Sequence, residues 1–372
     1  MKNPIELMLE YHLAARHYPG AVIHVEQAGR VLAHAVAGRM HGEGDVPMRE
    51  DALFRIASLS KPVVSVLTLM LVDEGLIGLD APVHEYLPQL AAQRLASGAA
   101  PSRPVTVRDL LRHTAGVPYA GETRDPQARA RAQALGLDGR MTTMSPQEFL
   151  EALVTLPLAN EPGTAFRYGF ATDLAGFVVE RVTGQRLGDA LRERLLEPLG
   201  MRDTGFVVPE AQADRLASAY ASDKAWHGFD RMFREGQAKG SPMHSGGGGL
   251  VSTVADYTLF ARMLAGGGEA GGRQYLKPET FAQMAQDQLG PQVDGPAGFT
   301  GSGFGFGLAL AVRLDWGASA VPSPAGELTW SGVSGTGLYL RPADKWFAIK
   351  FSCNNVSRLM ARFEFRRAAA AL

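Results

Sequence analysis

Ser58-Leu59-Ser60-Lys61 sets a hydroxyl and an amine three residues apart, the one Ser-x-x-Lys in the chain. On a helix that spacing shares a face, so the Lys61 amine can reach the Ser58 hydroxyl. A hydroxyl is a weak nucleophile and needs a base. A lysine held partly neutral by burial or by a nearby cation supplies one. A helix N-terminus at this point would also favour an oxyanion beside Ser58. The competing reading makes Ser58 a helix cap and Lys61 a solvent-facing side chain. A second set is Phe166-Arg167-Tyr168-Gly169-Phe170-Ala171-Thr172-Asp173. Tyr168, in a loop before a helix, can present its hydroxyl to a cleft and, as phenolate beside an ammonium, accept the Ser58 proton. Taken alone, Tyr168 also fits a half-buried structural role. A third set is Trp330-Ser331-Gly332-Val333-Ser334-Gly335. There Gly332 would admit a ligand close to the backbone, and the N–H of Val333 could complete an oxyanion hole.

These residues need a frame. Residues 20–28 and 31–38 are rich in Val, Ala, Ile and Leu about Ala28-Gly29-Arg30, which predicts a hairpin. Residues 59–74 form a segment apolar nearly all round and ending at Gly75, a helix that belongs inside the protein. Helical spacing recurs at 107–112, 146–154, 172–182 and 187–196, between Pro- and Gly-containing loops. Thr253 with Asp256 suggests a capping box before an apolar helix to Gly266. Residues 328–340 and 346–353 read as two strands joined by Arg341-Pro342-Ala343-Asp344-Lys345, and an amphipathic helix ends the chain. The economical fold class is α/β (α+β): an antiparallel sheet flanked by helices and built from both chain ends, residues 1–79 and 241–372. A mostly helical domain, residues 80–240, is inserted between them.

Composition excludes several functions. The 372 residues include 37 Lys+Arg and 38 Asp+Glu, a formal charge of -1, so no overall field draws nucleic acid or anionic lipid. Arg358, Arg362 and Arg366 form a stripe that reads as the solvated face of the last helix. The single cysteine, Cys353, excludes an internal disulfide and a multi-cysteine metal cluster, and its apolar surroundings suggest a buried thiol. Glu6 and Glu10 stand where a signal peptide needs an apolar core, and no run approaches the ~20 residues of a membrane span. A cytoplasmic protein with a small-molecule substrate, no nucleic-acid or membrane partner and no metal is expected. No Gly-x-Ser-x-Gly elbow, His-Glu-x-x-His or Gly-Lys-Ser/Thr loop occurs. His113 reads as structural.

The order Ser-x-x-Lys, tyrosine, Gly-containing strand resembles the serine β-lactamase and penicillin-binding protein superfamily. Leu53 to Ser58, Val107 to Gly116, Glu197-Pro198-Leu199-Gly200-Met201 and Gly248 to Thr253 agree, and the likeness runs from about Pro19 to Asn354. Two departures narrow it. Phe170 replaces the Asn of the Tyr-x-Asn motif of class C β-lactamases. Trp330 stands where their Lys-Thr-Gly motif has its lysine, a cation that helps hold a carboxylate. The pattern is closest to the family VIII carboxylesterases, with their Trp-x-Gly motif and a tyrosine followed five residues later by Asp, here Tyr168 and Asp173.

The resemblance implies Ser58 as nucleophile and Lys61 with Tyr168 as acid and base. It implies Ser58 and Val333 N–H groups as the oxyanion hole. Tyr119, Phe170, Asp173, Trp330 and Gly332 would be substrate-binding, and no cofactor is required. The implied activity is hydrolysis of small or short-chain carboxylic esters through an acyl-enzyme. An amidase, a weak β-lactamase or an acyltransferase on the same nucleophile is the alternative. A non-catalytic sensor is disfavoured by the intact Ser58, Lys61 and Tyr168.

Overall fold

The computed structural model describes residues 2–123, 125–137, 143–290, 293, 295, 300–315 and 317–372. Its strands are β1 (Gly20–Gln27), β2 (Arg30–Gly38), β3 (Phe54–Arg55), β4 (Val251–Ser252), β5 (Glu269–Ala270), β6 (Arg273–Gln274), β7 (Phe304–Phe306), β8 (Ala311–Arg313), β9 (Leu328–Ser331), β10 (Gly337–Arg341) and β11 (Trp346–Ser352). Seven of them form one antiparallel sheet in the order β2-β1-β11-β10-β9-β8-β7. Both chain ends therefore meet at the β1–β11 pair, with Ala21 opposite Ser352 and Gln27 opposite Trp346.

β11 is buried along its whole length, and its alternation serves two cores. Phe347, Ile349 and Phe351 join the main core, while Trp346 and Ala348 join Ile5, Leu9 and Phe365 beneath the terminal helices Pro4–Ala14 and Arg358–Ala370. Edge strand β2 mixes buried and exposed positions, as a strand with one wet face must. On the other side of the sheet lie helices Ser60–Asp73 and Val254–Ala265. From Ser60 to Leu71 every side chain of the first is buried, as its apolar composition requires. Between β3 and β4 the longer elements are helices, among them Ala171–Thr183 and Lys224–Ala238. Among the described residues no helix is long and apolar enough to cross a membrane. Cys353 is buried just past β11, and burial raises its thiol pKa, so it is not poised as a nucleophile.

Four expectations change. Residues 328–340 are not one strand but two, β9 and β10, folded about a turn in which Gly332 N–H donates to Thr336 O at 2.9 Å. Small residues that read as strand interior were turn residues. Thr253 caps its helix by accepting from Asp256 N–H, but the Asp256 carboxylate does not return the bond. It accepts instead from Asp203 N–H and Thr204 Oγ1. Residues 187–196 open as helix only to Leu191 and widen into a π turn over Arg192–Leu196. The arginine stripe is not a solvated face. Arg366 is 2 % exposed and pairs bidentately with buried Glu327, while Arg362 Nη1 donates to Ser331 Oγ at 2.5 Å. Arginine stems cover apolar surface readily, so charge pattern alone did not tell inside from outside.

Candidate active site

Ser58 lies in the 3-10 turn Ala57–Leu59 that opens into the Ser60–Asp73 helix. The turn is clamped from two sides. Ile56 N–H donates to Leu250 O at 3.0 Å and the Tyr257 hydroxyl donates to Leu59 O at 2.9 Å. Opposite them, Ser334 Oγ and Thr336 Oγ1 donate to Arg55 O at 2.6 Å and Ile56 O at 3.0 Å. These bonds hold Ala57 at φ 49°, a left-handed conformation that costs a non-glycine residue about 1–3 kcal/mol. The cost is borne one residue before the candidate nucleophile.

Lys61 is 1 % exposed, so its amine stays in the site and does not reach solvent. Its Nζ lies 3.5 Å from Ser58 Oγ, 3.1 Å from Tyr119 Oη and 2.5 Å from Gly247 O. It also stands 4.6 Å from the centre of the Tyr168 ring. The Ser58 distance is at the outer limit of a hydrogen bond and can tighten once substrate binds. The amine faces the Tyr168 ring and donates to the Tyr119 hydroxyl. An ammonium has three donors for these three oxygens. A neutral amine has two, which suit Gly247 O and Tyr119 Oη, leaving its lone pair for the Ser58 proton.

Asp173 and Phe170 require correction. Both are 0 % exposed and neither lines the cleft. Phe170 packs edge-on against Tyr119 and Phe149. Asp173 Oδ1 accepts from Ser245 Oγ at 2.6 Å and from Gly247 N–H at 3.0 Å, fixing the loop whose carbonyl holds Lys61. Burial raises the Asp173 pKa, with the Lys61 charge pulling the other way. A Cβ on Gly247 would stand 2.5 Å from Asp173 Oδ2 and 3.0 Å from Tyr119 Oη, so this position needs glycine. His113 is buried, 4.8 Å from Tyr168 between ring centres, and held well below the ordinary histidine range by burial and then by the Lys61 charge. It serves as a neutral wall behind that tyrosine.

The cleft has a volume of about 520 Å³, with Ser58, Tyr119, Tyr168, Trp330, Gly332 and Val333 in its lining. Trp330 stands 5.4 Å from Tyr168 and 5.3 Å from Phe306 between ring centres. Gly332 is needed for protein contact: a Cβ there would meet Ile56 O at 2.5 Å and Thr336 Oγ1 at 2.3 Å. The turn is thereby seated against the Ser58 segment. The carbonyl of Val333 accepts from Asn355 Nδ2 at 3.0 Å, while no acceptor among the described residues takes its N–H.

Phe229 and Met232, on the Lys224–Ala238 helix, complete the cleft, and nothing in their spacing singled them out. That helix is tied to β3, just before the Ser58 turn, by the buried Arg55–Asp230 pair and to the last loop by Asp223, which accepts from Asn355 N–H at 2.6 Å. Arg358, Arg362 and Lys350 also border the cleft. The arginine spacing was visible but read outward, and Lys350 gave no signal within an apolar strand.

A sheet of this order, a serine at the mouth of a buried helix and a buried amine beside it define a serine hydrolase of the β-lactamase fold. The sequence model of the Beta-lactamase family matches residues 5–371, and the chain belongs to that family. It is 35% identical to "Esterase EstB" of Burkholderia gladioli over 89% of this chain and 85% of that one. It is 31% identical to "Lovastatin esterase" of Penicillium rubens over 74% and 70%. Among solved structures, "EstCE1, a hydrolase with promiscuous acyltransferase activity" superposes with a TM-score of 0.83 at 27% identity, covering 98% of this chain and 97% of that one.

Proposed function

We propose that the protein is a carboxylesterase that hydrolyses small or short-chain carboxylic esters through an acyl-enzyme on Ser58. The observation that carries this reading is the position of Lys61 Nζ, buried and within 3.5 Å of both Ser58 Oγ and Tyr119 Oη at a cleft lined by Tyr168 and Trp330. Lys61 and Tyr168 share the proton: it leaves Ser58 Oγ as that oxygen bonds the ester carbonyl carbon, and it passes to the departing alcohol as the C–O bond breaks. Tyr119 steadies the amine. Val333 N–H and Ser58 N–H receive the oxyanion, and water then repeats the sequence in reverse. An indole in place of a fixed cation favours an apolar acyl or alcohol group. In this reading the cleft lies between residues 1–79 with 241–372 and residues 80–240, and the enzyme works in the cytoplasm.

Transfer to an alcohol or amine is the second reading, favoured by the acyltransferase activity named for EstCE1. The test is turnover of p-nitrophenyl butyrate and of a chromogenic cephalosporin by the parent protein and by Ser58→Ala. Ester turnover lost in the variant, with little cephalosporin cleavage, supports the esterase. Comparable cephalosporin turnover shifts the assignment to a β-lactamase. Ester formation with an added alcohol in preference to hydrolysis shifts it to acyl transfer. Inactivity on all three, with no fluorophosphonate adduct at Ser58, refutes the reading.

A further inference from the structure

The cleft is also lined by Lys350 on β11 and by Arg358 and Arg362 on the terminal helix. Lys350 is 2 % exposed, and among the described residues its Nζ has one hydrogen bond, to Ser352 Oγ at 2.9 Å; the Tyr18 ring lies 4.6 Å away. Arg358 Nη1 donates to Asn355 O at 2.7 Å and Asn355 Oδ1 at 2.8 Å, both neutral acceptors. Among the described residues neither Lys350 nor Arg358 has an ion pair. Arg366, one turn beyond Arg362, contrasts with them: it turns away from this cleft and is matched by Glu327. Among the described residues the one carboxylate lining the cleft is Glu122, which is exposed and belongs to the Ala120–Glu122 turn, while the Asp223 charge acts on Arg358 from outside the lining.

A buried ammonium without a counter-charge is costly, and guanidinium groups bind carboxylates through paired N–H donors. We propose that these cations at the cleft bind a carboxylate carried by the ester substrate, so that the enzyme prefers esters bearing an acid group to their neutral isosteres. The inference rests on the esterase reading and names its substrate class. The cations come from β11 and the terminal helix, not from the strand position that Trp330 occupies. Burial also holds the Lys350 amine down to about 7, and a bound anion would restore its charge.

The experiment compares kcat/KM for two matched pairs. Mono-p-nitrophenyl glutarate against its methyl ester places the carboxylate on the acyl side. The butyryl ester of 4-hydroxybenzoate against that of methyl 4-hydroxybenzoate places it on the alcohol side. The expected result is a preference of about tenfold or more for the acid member of one pair, reduced at least fivefold in Arg358→Gln/Arg362→Gln. No preference in either pair overturns the proposal while Ser58-dependent turnover of p-nitrophenyl butyrate leaves the esterase standing. So does a preference that survives in the double variant. Loss of all ester turnover overturns both. Where the double variant folds poorly, Arg358→Gln alone supplies the comparison.

Discussion

Replacing Gly332 by alanine tests whether the turn beside Ser58 holds an oxyanion donor in place. The new Cβ would stand 2.5 Å from Ile56 O and 2.3 Å from Thr336 Oγ1, against a limit of 3.0 Å for real contacts. The turn must therefore retreat by roughly half an ångström, carrying the Val333 N–H with it. Removing one oxyanion donor outright costs about a hundred- to a thousandfold in kcat, and a displacement of about 1 Å near a hundredfold. Half that displacement is expected to cost roughly ten- to a hundredfold, or about 1.4–2.7 kcal/mol in the barrier. The overpacking itself should destabilise the fold by about 1–3 kcal/mol. The assay is kcat and KM on p-nitrophenyl butyrate below the melting transition, with fluorophosphonate labelling of Ser58 to count intact sites. The loss should fall on kcat with KM nearly constant, because the donor acts on charge that develops only in the transition state. A folded Gly332→Ala protein with the parent kcat would refute the reasoning.

Tyr168→Phe should lower kcat about a hundred- to ten-thousandfold and Tyr119→Phe about tenfold, measured on the same ester; the reverse order would make Tyr119 the proton carrier. Lys350→Met should raise stability with a pH signature. The buried amine titrates at about 7 against 10.5 in the unfolded chain, so between those values the unfolded state holds the extra proton and parent stability rises with pH. The gain from methionine should be largest near pH 6.5 and shrink by a few kcal/mol toward pH 10, on the order of 1.4 kcal/mol per pH unit. Equal gains by urea unfolding at pH 6.5 and 9.5 would contradict it. Arg366→Met should cost about 3–5 kcal/mol in urea unfolding, because Glu327 is left buried alone, and Glu327→Gln in the same chain should recover much of that loss.

The local chemistry was legible because it depends on short spacings. Ser58 and Lys61 are one helical turn apart, and the apolar stretch behind them could only be a buried helix, so the closeness of hydroxyl and amine followed from the chain. The β1–β2 hairpin and the assembly of the sheet from both chain ends followed from alternation and turn chemistry. What tertiary structure alone decided were directions. Asp173 and Phe170 point inward and support the Lys61 loop and Tyr119, although the family resemblance had implied contact with substrate. Arg358 and Arg362 lie on a helix with polar and apolar stripes, and sequence cannot say which stripe meets the sheet when a long charged side chain can cover apolar surface as well as reach water. Lys350 sits in a strand of hydrophobic neighbours, and its burial beside the cleft is set by what packs over β11 from the far end of the chain. Spacing along the backbone fixes which groups can touch within one element. Which face of that element is covered depends on contacts between distant segments, and those exist only in the folded protein.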